Sequence, residues 1–126
     1  MEPLPSDAGM SAPVPAPPPP AEDDTPPPGG AITLTPADRS TTVHLTGEID
    51  AAVVADESGA LEAAARRGLP VDVDCSGVRF IDSSGLGALL WLANVAPEPP
   101  RLLAVPRSMR ELLALTGMES AFTFGP

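Results

Sequence analysis

The stretch Asp74 to Val95, DCSGVRFIDSSGLGALLWLANV, constrains this chain most, because in it an apolar strand passes through a polar turn directly into a helix. The turn is Asp82-Ser83-Ser84-Gly85. Aspartate and serine favour the N-cap, since a side-chain oxygen accepts one of the first backbone N–H groups, which have no partner inside the helix. A helix is therefore predicted to begin at Ser83 or Ser84, with an exposed hydroxyl in its first turn and free N–H groups that favour a negative group such as phosphate. At 3.6 residues per turn the predicted core stripe is Leu86, Leu89, Leu90 and Ala93. The opposite side carries Ser84, Ala88, Trp91 and Val95, and no charged residue occurs from Ser83 to Ala96. Both sides of the helix thus want burial; the outer one is to be covered by a second helix, by the Pro-rich start of the chain, or by a partner protein.

Residues 1–30 hold eleven of the 18 prolines, including Pro17 to Pro20 and Pro26 to Pro28, together with the acidic cluster Glu22-Asp23-Asp24. Proline has no N–H for a helix or ladder, and few large apolar side chains are present to offset ordering entropy. This part is expected to be a disordered, acidic tail of polyproline II character, with residues 31–126 forming a single folded domain. A net charge of −10 excludes the basic surface that nucleic acid requires, so no nucleic-acid partner is expected. The lone Cys75, bracketed by Asp72 and Asp74 in an apolar strand, reads as a buried, inert thiol in a reducing compartment. The sequence offers no run of membrane-spanning length and no signal-type start, which predicts a cytoplasmic protein without membrane insertion.

Alternation predicts a hairpin: a strand around Ile32 and Leu34, a turn at Asp38-Arg39-Ser40, and a strand from Thr41 to Gly47 with Val43 and Leu45 opposite Thr42, His44 and Thr46. His44 has no second His or free Cys at ligand spacing, so it reads as a surface side chain and no metal is expected. Asp50 is placed to cap a helix reaching Arg67, with Gly59 expected to interrupt it and leave its first half frayed. A strand begins at Pro70, the central helix stops at Pro97-Glu98-Pro99-Pro100, and Arg101 to Val105 reads as a buried strand. Arg107 to Thr116 forms a helix with Met109, Leu112 and Leu113 inward, and Phe122 and Phe124 alternate as in an edge strand. The order is α/β: a mixed, mostly parallel sheet with helices packed on it, and Ser84 beyond the carboxyl end of a strand, where open α/β sheets hold their sites.

The run Asp74-Cys75-Ser76-Gly77-Val78, followed by Phe80 to Leu90 (FIDSSGLGALL), resembles the signature of STAS domains, specifically the bacterial anti-sigma factor antagonists. HLTGEID, His44 to Asp50, resembles the LTGELD element before the first helix of that family, and RELLALTGM, Arg110 to Met118, its closing helix. The resemblance spans residues 31–126 and implies one small STAS-like domain. It implies that Ser84 is phosphorylated by an anti-sigma factor serine kinase, with Asp50 lying near it, and that a PP2C-type phosphatase reverses the modification. The candidate phosphosite and docking surface around Ser84 comprises Asp50, Asp82, Ser83, Gly85, Leu86, Ala88 and Trp91. The implied function is partner switching without catalysis or cofactor: the unphosphorylated form binds the anti-sigma factor and frees a sigma factor. An alternative role of STAS-like domains is that of a non-phosphorylated accessory subunit of a lipid-transporting ABC system, where the second hydroxyl of the turn is often Thr. A nucleotide-binding enzyme is a third reading, with no Walker-type loop, no His near a nucleophile and no metal cluster in the sequence to support it.

Overall fold

The computed structural model of the chain describes residues 29–126, so the expectation for the Pro-rich segment falls outside the described residues. The strands β1 (Gly30–Pro36), β2 (Thr41–Ile49), β3 (Val71–Ile81), β4 (Arg101–Leu103) and β5 (Thr123–Gly125) form one sheet in that order. β1 and β2 are the antiparallel hairpin, and every later neighbour is parallel. Helices α1 (Ala51–Arg67), α2 (Ser83–Val95) and α3 (Arg107–Thr116) make the crossovers, and a 3-10 turn at Met118–Ala121 leads into β5. Each parallel step moves the same way across the sheet, so right-handed crossovers put all three helices on one face. A single core forms there, with Val43, Leu45, Val73, Leu61, Leu92, Leu102 and Leu113 each at most 2 % exposed. The other face is polar. Thr35, Thr42, Asp72, Arg101 and Thr123 form a row across all five strands, in which the Arg101 guanidinium donates to both carboxylate oxygens of Asp72 at 3.2 Å.

Gly59 does not interrupt α1, which is continuous over 17 residues. Asp50 caps its start and Gly68, in the left-handed region at φ 66°, closes its end. Arg67 pins that end to the β1–β2 turn by donating to the carbonyls of Ala37 (2.7 Å) and Ser40 (2.9 Å) and to the Thr41 hydroxyl (2.7 Å). With Val53, Leu61 and Ala64 buried against the sheet, tertiary packing outweighs the helix penalty of one glycine. Nothing lies within 4 Å of a Cβ added at Gly59. Gly59→Ala is therefore expected to raise stability by about 0.5–1 kcal/mol, read as a higher urea midpoint; a lower midpoint would show that this position is packed after all.

β3 departs from plain alternation. Its register against β2 slips between His44 and Thr46 and again between Gly47 and Glu48. Each slip adds a residue to β3 and bends it, so the inward residues are Val71, Val73 and Cys75, then Val78 and Ile81. The bends leave Phe80 outward, 52 % exposed. The strand expected from Arg101 to Val105 ends at Leu103, because Ala104 turns into the left-handed region at φ 52° ahead of Pro106. Phe122 is buried just before β5, and the Arg110 guanidinium sits 4.3 Å over the ring of Phe124.

Candidate functional site

Ile49 is the register partner of Ile81, so β2 and β3 end side by side and the next residues, Asp50 and Asp82, start α1 and α2 at the same end of the sheet. Both are N-caps. The Asp50 carboxylate accepts from the Val53 N–H at 3.1 Å. The Asp82 carboxylate accepts from the N–H groups of Ser84 and Gly85 at 2.9 and 3.2 Å with a single oxygen. The Asp82 N–H in turn donates to the Ile49 carbonyl at 3.3 Å, tying the two strand ends together. α2 presses closely on these ends because its third residue has no side chain. A Cβ on Gly85 would lie 2.6 Å from Ile81 Cγ1 and 2.7 Å from the Ile49 carbonyl oxygen.

This geometry corrects the expectation of free N–H groups for phosphate at the start of α2. Ser84 and Gly85 donate to the Asp82 side chain, and Leu86 donates to the Asp82 carbonyl at 3.0 Å. The anion that the helix end favours is thus already supplied by the cap itself.

The two serines differ in access: Ser83 is exposed, whereas Ser84 is half-buried. Gly85 and Leu86, which the sequence placed on the docking surface, are both buried. They hold α2 against the sheet and present nothing to a partner. The core stripe is also rotated from the predicted one: it is Gly85, Leu86, Leu89 and Leu92, with Leu90 and Ala93 half-buried. The cause is the close approach at Gly85, which rolls the helix toward the sheet on that side. Ala88 packs toward α1, so a second helix does cover part of the outer side. Trp91 and Val95 stay 42 % and 45 % exposed. Between α1 and α2 runs a groove of about 160 Å³ lined by Val54, Ser58, Leu61, Glu62, Ala88 and Trp91. Phe80, exposed two residues before the Asp82 cap, is an apolar group at this end that sequence reasoning did not single out; only the bulges in β3 reveal it.

On the open sheet face, His44 is more than a solvated side chain. Its Nε2 lies 3.0 Å from the Thr35 hydroxyl and its Nδ1 3.4 Å from the Asp74 carboxylate. Asp74 also accepts from the Ser76 N–H and hydroxyl at 3.0 and 2.7 Å. These Ser76 bonds, more than His44, hold the Asp74 carboxyl below its usual value. The chain of groups lies flat on the sheet, away from the helix starts. Cys75 is fully buried, and burial, with Asp74 beside it, pushes its thiol up to about 12. A neutral thiol without access is unreactive. Native protein at pH 8 is expected to give no colour with Ellman's reagent and one thiol per chain after denaturation; a native reaction would show that β3 opens. Among the described residues no cluster of three His, Cys, Asp or Glu side chains could hold a metal ion, and no helix is long and apolar enough to cross a membrane.

The family model described as Mlab, STAS domain, matches residues 32–123, which takes in β1 through the start of β5. The chain belongs to the STAS domain family. This STAS domain has its fold in common with solved structures. An anti-sigma factor antagonist from Mycobacterium paratuberculosis is 24 % identical over 75 % of this chain and 84 % of its own, with a TM-score of 0.67. The anti-sigma factor antagonist SpoIIAA in its unphosphorylated form is 20 % identical over 75 % of this chain and 87 % of its own, at 0.61. The Bacillus cell fate determinant SpoIIAA in the phosphorylated form is 21 % identical over 75 % and 91 %, at 0.59. No curated protein sequence matches the STAS chain.

Proposed function

We propose that this STAS protein is an anti-sigma factor antagonist that works by partner switching, with Ser84 as the phosphoacceptor. The observation that carries the reading is the filled helix start. A phosphate on Ser84 adds about −1.5 to −2 charges at neutral pH beside the Asp82 carboxylate, which already takes the nearby N–H groups. The new charge therefore meets Ser84 and Gly85 N–H groups already engaged by Asp82, and directs its repulsion at whatever is docked. Asp50, capping the neighbouring helix, adds to the negative potential at the same end. The unphosphorylated face, with Ser83, Ala88 and the half-exposed Trp91, binds an anti-sigma factor serine kinase in the cytoplasm, and a PP2C-type phosphatase restores it. The protein acts by occupancy, without catalysis. One relative of the same fold is described in both phosphorylated and unphosphorylated forms, which supports a phosphorylated member of the family.

Incubation with the cognate kinase and ATP, followed by mass spectrometry of tryptic peptides, is expected to place one phosphate on Ser84. Modification at Ser83, the more exposed hydroxyl, or at neither serine, would overturn the assignment. A second reading is favoured by the description of the matching family model, which makes no reference to sigma factors: an accessory subunit of a lipid-transporting ABC system. Co-purification with a membrane ATPase in place of a soluble kinase decides for it.

A further inference from the structure

We propose that a second copy of this chain docks on Trp91 about a two-fold axis, with Glu62 of each copy facing Arg66 of the other. Trp91 separates two hollows: the groove of about 160 Å³ toward Val54, Leu61 and Ala88, and another of about 320 Å³ toward Ala65 and Val95. An indole standing between apolar hollows is the kind of side chain that anchors an interface, where a few residues carry most of the binding energy. Nothing in α2 supplies charge, since Ser83 to Val95 has no charged residue. The charges at the hollows are both on α1: Glu62 lines each of the two, and Arg66 lines the second.

The pattern of those charges selects the occupant. A rim of one sign would suit a partner of the opposite sign. Here one acid and one base, both exposed, stand one helical turn apart on α1, so the patch is locally neutral on a chain of net charge −10. Two such chains repel over most of their surfaces, and a neutral patch is where they can meet. Glu62 and Arg66 have the spacing and order of a helical ion pair, yet among the described residues neither is in one. Both are therefore available to a contact from outside. Helices α1 and α2 start at the same end of the sheet and pack side by side, so a two-fold axis across them sets the second copy's helices antiparallel. An axis through the hollow that Trp91, Glu62 and Arg66 share packs indole against indole and brings each Glu62 to the other copy's Arg66, in the reciprocal manner of a two-fold contact. Trp91 also lies on the face proposed above for the kinase. If that reading holds, self-pairing and kinase binding exclude each other, and abundant protein is held in reserve as pairs.

The experiment is analytical ultracentrifugation of the full chain at rising concentration up to about 1 mM, with fluorescence read on the same samples. The chain has one Trp and no Tyr, so its emission reports this site alone. A monomer–dimer equilibrium is expected, with the emission moving to the blue as pairs form and the indole leaves water. Trp91→Ala is expected to raise the dissociation constant about 30-fold or more. Glu62→Arg and Arg66→Glu, each replacing two attractive contacts per pair by two repulsive ones, are expected to raise it at least about tenfold. The double variant Glu62→Arg with Arg66→Glu is expected to return close to the native value, because the swap restores opposite charges across the axis. A native chain that stays monomeric up to the highest concentration would overturn the proposal and leave the hollows to a different protein. A dimer whose emission does not shift, or a double variant as weak as the single ones, would overturn it as well. No kinase enters the measurement, so its failure leaves the phosphorylation reading standing, and the reverse holds too.

Discussion

Ser84→Asp is expected to weaken binding of the full-length protein to the anti-sigma factor kinase proposed as its partner at least about 100-fold, a change of about 2.7 kcal/mol, while shifting the thermal midpoint little. The domain tolerates the charge because Ser84 is half-buried at a surface and not in the core. The complex is not expected to, because an unpaired negative group in a desolvated contact costs several kcal/mol, and Asp82 already engages the Ser84 and Gly85 N–H groups. Ser84→Ala is expected to bind like the native protein and to accept no label. Calorimetric titration of the three proteins into the kinase reads the effect. Equal affinities for the native and Asp proteins would show that the start of α2 lies outside the contact.

Gly85→Val is the substitution expected to damage the fold most for its size. Its Cβ would stand 2.6 Å from Ile81 Cγ1 and 2.7 Å from the Ile49 carbonyl oxygen, and the second of these is backbone and cannot rotate away. Overpacking of this kind costs about 3 kcal/mol, which for a domain near 100 residues lowers the midpoint by about 12 °C or more. Thermal unfolding followed by far-UV circular dichroism measures it. A midpoint within a degree or two of native would mean that α2 slides outward freely, and that the close seat of the helix start is not what positions Ser84. The contrast with Gly59, where the same kind of addition meets open space and stabilises, tests the geometry directly.

The start of α2 was legible in the sequence because capping is local: Asp82 needs only the next three residues to act, and a one-dimensional string contains them. The hairpin and the alternation of strands with helices were legible for the same reason, since periodicity is a property of neighbours. What escaped was decided across the sheet. The inward sequence of β3 changes from every second to every third residue through two bulges against β2, which turn Phe80 outward. The roll of α2 that buries Leu92 in place of Leu90 follows from Gly85 meeting Ile49, a residue 36 positions away in sequence. Gly59 remained helical because Val53 and Leu61 are anchored on the sheet, and His44 gained partners from β1 and β3 that alternation alone could not name. At the site, Asp50 and Asp82 cap helices that begin at the same end of the sheet, and Gly85 and Leu86 are buried beneath the surface.

The starts of α1 and α2 are set by the pairing of Ile49 with Ile81 and by two carboxylates, with no intervening loop or hinge. A charge added there has nothing to swing open and no segment to refold. The tempo of any such signal is then inherited from the departing partner, fixed by how long a complex survives once repulsion is switched on.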